Sequence, residues 1–365
     1  MILYIFWGVS VLGAVGYSIK HPSKLINQRF ILALLFTFLF VLLGWSRGAY
    51  DVEIGISRYV NYQIMASFTE IGYTLLVKIF HILGFGYRGF FIVCSFIEIL
   101  SIFWFTSKNC KKSQIAICLF LIYPFVVYLQ YIRTLAAVPF VLIAIDSLIN
   151  KPKHYIPKYV LCCLIAATLH FSSIFFLLYL PVSLMRKKSV VISTLIGAMV
   201  VQMAGSVGFL YNLVNYFLGT EKVGILERSV DAEGTFGRVF AICVTIAFLY
   251  VMIYIMKYVF KVSFNTYRDE LYWKINFISI LCIPLTLHFG VGFARIPTLI
   301  LVFNYPYLVE KVSEISSQKK RLFMYVIMVC YLAALFYVSF HNHEYRELVL
   351  YPFFEQNELI NGILE

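Results

Sequence analysis

The chain has 365 residues, of which 61% are hydrophobic and 13% charged, with a mean hydropathy of +0.85 and a formal net charge of +12. A soluble protein of this length cannot enclose so much apolar surface, so a water-soluble enzyme is excluded, and repeated apolar runs of roughly 20 residues call for membrane-spanning helices. The basic excess falls in short loops between those runs rather than on one face of a domain, which excludes nucleic acid as the partner.

The apolar runs fall at about 2–19, 30–46, 89–106, 115–129, 134–149, 159–184, 189–218, 238–260, 272–290, 296–310 and 322–340. The first, in "MILYIFWGVSVLGAVGYSIK", has no basic residue before its apolar stretch and is expected to be a span rather than a targeting segment. No repeat, low-complexity tract or linker interrupts the series. The fold class is therefore all-α: a polytopic integral membrane protein of about 11 apolar segments. It reads as one transmembrane domain over 1–365, with outer-face segments near 46–88, 219–237 and 341–365. Residues 70–86, "EIGYTLLVKIFHILGFG", are too short for a comfortable span and are expected to lie along a face or dip in and return. Residues 159–184 have basic residues at both ends and are expected to form a hairpin of two half-spans, with its tip near 169–173.

Orientation follows from the basic residues. One set of loops, including "KHPSKLINQR", "KNCKKSQ", "KPKHYIPK" and "KVSEISSQKKR", carries 20 of them, 16 being Lys. These are assigned to the cytoplasm, which places the N-terminus outside. The other ten are Arg47, Arg58, Lys78, Arg88, Arg133, Lys222, Arg228, Arg238, Arg295 and Arg346, and eight of these are Arg. Cytoplasmic Lys is an ordinary topology signal. Arg on the outer face needs another reason, and its planar fork grips phosphate oxygens two at a time. The plainer alternative is that each Arg pairs locally with an acid such as Asp51 or Glu53.

Four stretches place polar groups at outer ends of spans. The first holds Arg47, Asp51, Arg58 and Tyr59, followed by Glu70. In "YLQYIRTLAA", Gln130 and Arg133 are three apart and share a helix face if the helix continues. An Arg at membrane depth is a functional candidate. In "ATLHFSSIFF", His170 and Ser172 sit at the expected hairpin tip, and His exchanges protons near neutral pH. In "GVGFARIPTL", Arg295 opens a span, and Arg238 after "EGTFG" is a weaker analogue. The loop 219–237 also carries Glu221, Glu227, Asp231 and Glu233, which either neutralise local arginines or belong to a lid. No Gly-rich phosphate loop, HExxH, GxSxG or DxD pair is present. The eight cysteines show no ligand spacing and read as apolar fillers, so neither metal nor cofactor is called for.

In this order the motifs resemble the EpsG family of Wzy-type polysaccharide polymerases. The matching residues are Arg47, Asp51 and Tyr59; Glu70, Gly72 and Tyr73; Gln130, Arg133 and Ala136; His170 and Ser172; and Arg295. Ile71 stands where the family often has Pro, and Tyr131 after Gln130 is a second departure. Neither removes a charged group. The resemblance implies a GT-C-type membrane glycosyltransferase. Such an enzyme joins polyprenyl-pyrophosphate-linked oligosaccharide units at the outer face of the cytoplasmic membrane, with a flippase, a chain-length regulator and an export channel as partners. On that reading Arg133 and Arg295 clamp the leaving pyrophosphate, helped by Arg47 and Arg58. His170 is the first candidate for the base, Asp51 the second and Glu70 the third. Gln130 binds sugar hydroxyls or phosphate, and exposed rings at Tyr59 and Tyr73 stack on sugar. Ser172 and Arg238 are further substrate-binding candidates. A glycan ligase using the same donor, an O-acetyltransferase and a flippase of lipid-linked oligosaccharide share parts of this logic.

Overall fold

From residue 30 onward the described parts of the apolar runs are largely helical in the computed structural model, which describes residues 25–46, 52–61, 70–128, 132–206, 235–289 and 291–340. Short pieces at 208, 212, 347, 350–351 and 356–359 are also described. Helix α1 is Leu25–Gly44, α2 Val52–Val60, α3 Ile71–Ile82, α4 Tyr87–Asn109 and α5 Ser113–Ile122. The four-residue α6, Phe125–Tyr128, leads to α7, Ile132–Asn150, and α8, Tyr155–Leu169. A 3-10 helix over Phe171–Leu178 precedes α9, Tyr179–Leu184, and α10, Lys187–Ser206. Then come α11 (Thr235–Tyr254, with a π turn to Val259), α12 (Tyr267–Ile278), α13 (Cys282–Phe289), α14 (Val291–Ser313) and α15 (Gln318–Phe340). The fold is all-α among the described residues. The sole β contact among them is a single bridge between Ser46 and Asn357.

Six helices are long and apolar enough to cross a membrane: Tyr87–Asn109, Ile132–Asn150, Lys187–Ser206, Val239–Val259, Tyr267–His288 and Gln318–Phe340. Shorter apolar helices, including Arg29–Gly44, Ser113–Ile122 and Tyr155–Leu169, lie between them. The run 2–19 and most of the loop 219–237 lie outside the described residues. Both awkward stretches bend. The Tyr159 hydroxyl, in α8, donates to the Phe176 carbonyl at 2.5 Å, so the limbs before and after His170 lie side by side as a hairpin. Residues 71–82 form a helix of 12 residues, too short to cross.

Contacts divide the chain into two compact units, each built from separated pieces of sequence. One comprises 1–143, 164–171 and 305–365, the other 144–163 and 172–304. No linker marks a boundary because neither unit is continuous along the chain. In the first unit, α5 is central: all ten of its residues are buried, and α1, α4 and α15 pack on it. Phe36 of α1 meets Phe96 and Phe103 of α4 edge-on, at centroid distances of 5.6 and 5.4 Å. In the second unit, α10 packs on α12 and α13, and α11 packs on the same two helices. Asn276 and Asn304 exchange a reciprocal pair of amide hydrogen bonds at 3.0 and 2.8 Å, which satisfies two buried amides together.

The end of α1 is capped from a distance. The last carbonyls of a helix have no partner within it. Here the Asn357 amide donates to the Val41 and Leu42 carbonyls at 2.9 and 3.4 Å. The Arg88 guanidinium donates to the Ser46 and Trp45 carbonyls at 3.0 and 2.9 Å, and its Nε to Glu358 at 2.7 Å. The Glu358 amide donates to the Trp45 carbonyl at 3.0 Å. Arg88 thus pairs with an acid, but with Glu358, 270 positions away, and not with a local one such as Asp51 or Glu53.

Helix α3 stops by its own chemistry. Gly84 has φ +76°, its N–H bonds the His81 carbonyl, and the next N–H, of Phe85, bonds the Phe80 carbonyl, both at 3.0 Å. That is a Schellman termination, with glycine where the left-handed backbone requires it. The Phe80 and Phe85 rings close it edge-on at 5.3 Å. Replacing Gly84 with Ala is expected to cost about 1–2 kcal/mol of stability. Thermal unfolding in detergent measures this, and an unshifted midpoint would argue against the termination.

Candidate functional site

In the first unit three helices bring Glu70, Arg133 and His170 together. Glu70 stands at the start of α3, where the helix N-terminus favours a negative charge. Arg133 lies in the first turn of α7. His170 follows the last residue of α8, and its own N–H closes the final turn onto the Ala166 carbonyl at 2.8 Å. The approach depends on Gly72. A Cβ there would collide with the side chain of Thr168 in α8, so only glycine lets α3 lie this close to the hairpin tip.

Glu70 uses its two oxygens separately. Oε2 accepts from Arg133 Nη1 at 2.5 Å. Oε1 lies 3.6 Å from His170 Nδ1, within ionic reach but longer than a hydrogen bond. Glu70 and His170 are 6% and 7% exposed, so neither side chain is dissolved in bulk water. The Arg133 side chain is 19% exposed and is the most open of the three. Placed this way, the carboxylate neutralises Arg133 and can hold an imidazolium, while the guanidinium edge remains for an anion.

Other sequence candidates are distributed differently. Tyr59 and Tyr73 are 2% and 6% exposed, which corrects the expectation of exposed rings stacking on sugar. Tyr59 binds α2 to α3 instead. Its hydroxyl donates to the Phe85 carbonyl at 2.5 Å, its ring stacks on His81 at 4.3 Å, and His81 Nε2 bonds the Tyr59 carbonyl at 2.8 Å. Tyr73 meets Phe90 edge-on at 6.0 Å. Arg58 is on α2, and its side chain is not described. Arg47, Asp51 and Gln130 lie outside the described residues. Ser172, Arg238 and Arg295 belong to the second unit: Ser172 is buried, Arg238 starts α11, and Arg295 is half-buried in the first turns of α14.

Two polar positions emerge that the sequence reading does not single out. Thr134, beside Arg133, is 7% exposed, and its Oγ1 has no hydrogen-bond partner among the described residues. Glu98, the one acid within the run 89–106, is 1% exposed. A lone acid in an apolar run is a visible signal, but its direction is not. All eight cysteines are free thiols, and no group of three His, Cys, Asp or Glu side chains among the described residues lies close enough to hold a metal ion.

Removing one partner of a buried pair strands the other charge. Glu70→Leu and Arg133→Met are each expected to lose about 3 kcal/mol, and the double variant clearly less than the sum. Thermal melts of the three variants in detergent check this. Strict additivity would mean that the pair is not coupled.

The profile described as EpsG family matches residues 29–353, most of the chain. No curated protein and no solved structure gives a match.

Proposed function

The chain belongs to the EpsG family, whose members are Wzy-type polymerases, and from that premise we propose that it is a glycosyltransferase building surface polysaccharide. Its donor is a growing glycan on a polyprenyl pyrophosphate. Its acceptor is the non-reducing end of an incoming lipid-linked repeat unit. The reaction takes place on the outer face of the cytoplasmic membrane, in an architecture of GT-C type, with a flippase and a chain-length regulator as partners. The observation that carries the reading is the juxtaposition of Glu70, Arg133 and His170 at the meeting of three helix ends.

The chemistry follows from charge. When the glycosidic bond to pyrophosphate breaks, negative charge grows on the leaving oxygen. A fixed guanidinium aimed there stabilises the transition state more than the ground state. Arg133 takes that role. The acceptor hydroxyl gives its proton to His170, which has the intrinsic range for a base near neutral pH. Glu70 is a poor base while its carboxylate is held by Arg133. Arg295, in the second unit, is a second clamp proposed from the sequence, and Arg47, Arg58, Asp51 and Gln130 are proposed to contact the substrate.

Deleting the gene and restoring it tests the class of reaction. A polymerase-null cell is expected to carry single repeat units on its surface. Long chains left on polyprenyl lipid would indicate a ligase, and unchanged chain length would refute the polymerase. With purified enzyme, Arg133→Ala and Arg295→Ala are each expected to lower turnover roughly a hundredfold or more. Near-normal turnover in either variant removes that Arg from the clamp.

A further inference from the structure

Two spans of the second unit leave an apolar slot between them. Helices α11 and α12 belong to segments long and apolar enough to cross a membrane, and a short loop joins the end of one to the start of the other. A cavity of roughly 430 Å³ lies between them, lined by residues that include Cys243, Ala247 and Tyr250 on α11 and Trp273, Phe277 and Ile283 on α12 and α13. At 1.5 Å per residue, the course from Trp273 to Ile283 is about 15 Å long. A bilayer's hydrocarbon core is about 30 Å thick, so the slot has the depth of one leaflet. Its walls offer carbon and little to hydrogen-bond. The Tyr250 hydroxyl is spent on the Trp273 carbonyl at 3.0 Å, its ring meets Trp273 edge-on at 6.1 Å, and Trp273 stacks on Phe277 at 5.0 Å. A sugar finds few partners there, whereas a hydrocarbon chain is well matched.

One end of the slot is strongly basic. It is the Trp273 end, where α11 finishes and α12 begins, and the start of α10 reaches it as well: Lys187 Nζ lies over the Trp273 ring, 5.7 Å from the centroid. Residues 186–188 and 257–274 carry seven basic residues and two acids. Both acids are engaged, Asp269 in the capping box with Thr266 and Glu270 with Lys274 Nζ at 2.7 Å. Arg186, Lys187 and Lys188 are exposed. These residues belong to the Lys-rich loops that charge bias assigns to the cytoplasm.

We propose that the slot binds an anionic phospholipid from the leaflet on the Lys-rich side, with one acyl chain between α11 and α12 and the phosphate beside Lys187, above Trp273. The depth of one leaflet matches the chain, the tryptophan marks the interface, and the cations match the head group. The donor diphosphate of the polymerase reading belongs to the opposite face, so the lipid site is separate from that reading and stands whether or not the chain polymerises glycan.

The test uses the purified full-length chain in phosphatidylcholine vesicles, with phosphatidylglycerol carrying brominated acyl chains as the probe. Bromine quenches a nearby tryptophan. The chain has four, so the Trp273 signal is the difference between wild type and Trp273→Phe. Brominated phosphatidylglycerol is expected to quench Trp273 at a roughly fivefold lower mole fraction than phosphatidylcholine with the same brominated chains, the factor that one Lys near a membrane surface supplies. Lys187→Ala is expected to lose most of that preference while brominated chains of either lipid still reach Trp273. Salt at about 1 M should remove the preference in wild type too. Ala247→Phe, which places a ring in the slot, should reduce quenching by both lipids.

Equal quenching by the two lipids in wild type overturns the site, as does a preference that survives both Lys187→Ala and high salt. Should Ala247→Phe not accumulate, the wild-type comparison and the variant at exposed Lys187 still decide. Unbrominated phosphatidylglycerol should restore the fluorescence by competition. If polyprenyl diphosphate restores it at a lower concentration than phosphatidylglycerol does, the slot holds the donor's chain and the phospholipid site is wrong.

Discussion

A carboxylate that is 6% exposed in a chain this apolar needs a compensating charge, and the contact between Glu70 and Arg133 supplies it. Much of the first unit's local architecture is consistent with that requirement. The start of α3 must reach the start of α7, and Gly72 lets it pass close against Thr168 on the way. The hairpin of α8 and the following 3-10 helix must turn where His170 can face the same carboxylate. The termination at Gly84 and the clasp between Tyr59, His81 and Phe85 then fix the other end of α3. Short elements that bury little surface of their own are held by polar contacts at both ends.

Among the described residues, the charge of Arg133 is offset by Glu70. A bare guanidinium attracts any anion, whereas one already paired with a carboxylate carries less net charge to attract them. Arg88 shows the alternative use of the same side chain. It spends its donors on two backbone carbonyls and one acid, and so serves as a helix cap. Both arginines look alike in sequence, each standing just before an apolar run. What separates them is the partner that the fold brings.

That difference marks the limit of what the sequence makes legible. The long helices follow from hydropathy alone, and the bent course of 70–86 and 159–184 follows from their length and from the basic residues at their ends. Glu70, Arg133 and His170 are each recognisable as polar groups set among apolar neighbours. Their meeting is not, because Glu70 and Arg133 are 63 positions apart and local spacing says nothing about contacts that long. The burial of Tyr59 fails for the same reason: its partners His81 and Phe85 are 22 and 26 positions away. Arg88 and Glu358, 270 positions apart, are beyond any local pattern.

The cap at the end of α1 carries a rule about the path of the chain. Trp45 and Ser46 touch Asn357 and Glu358 directly, and two points in contact at the edge of a bilayer lie on the same side of it. Between residues 46 and 357 the chain must therefore cross the membrane an even number of times. The same rule binds Glu70, Arg133 and His170, which meet from three separate helix ends and so must share one side. A single span inserted or deleted between residues 46 and 357 would carry the two partners of the cap to opposite faces and break it.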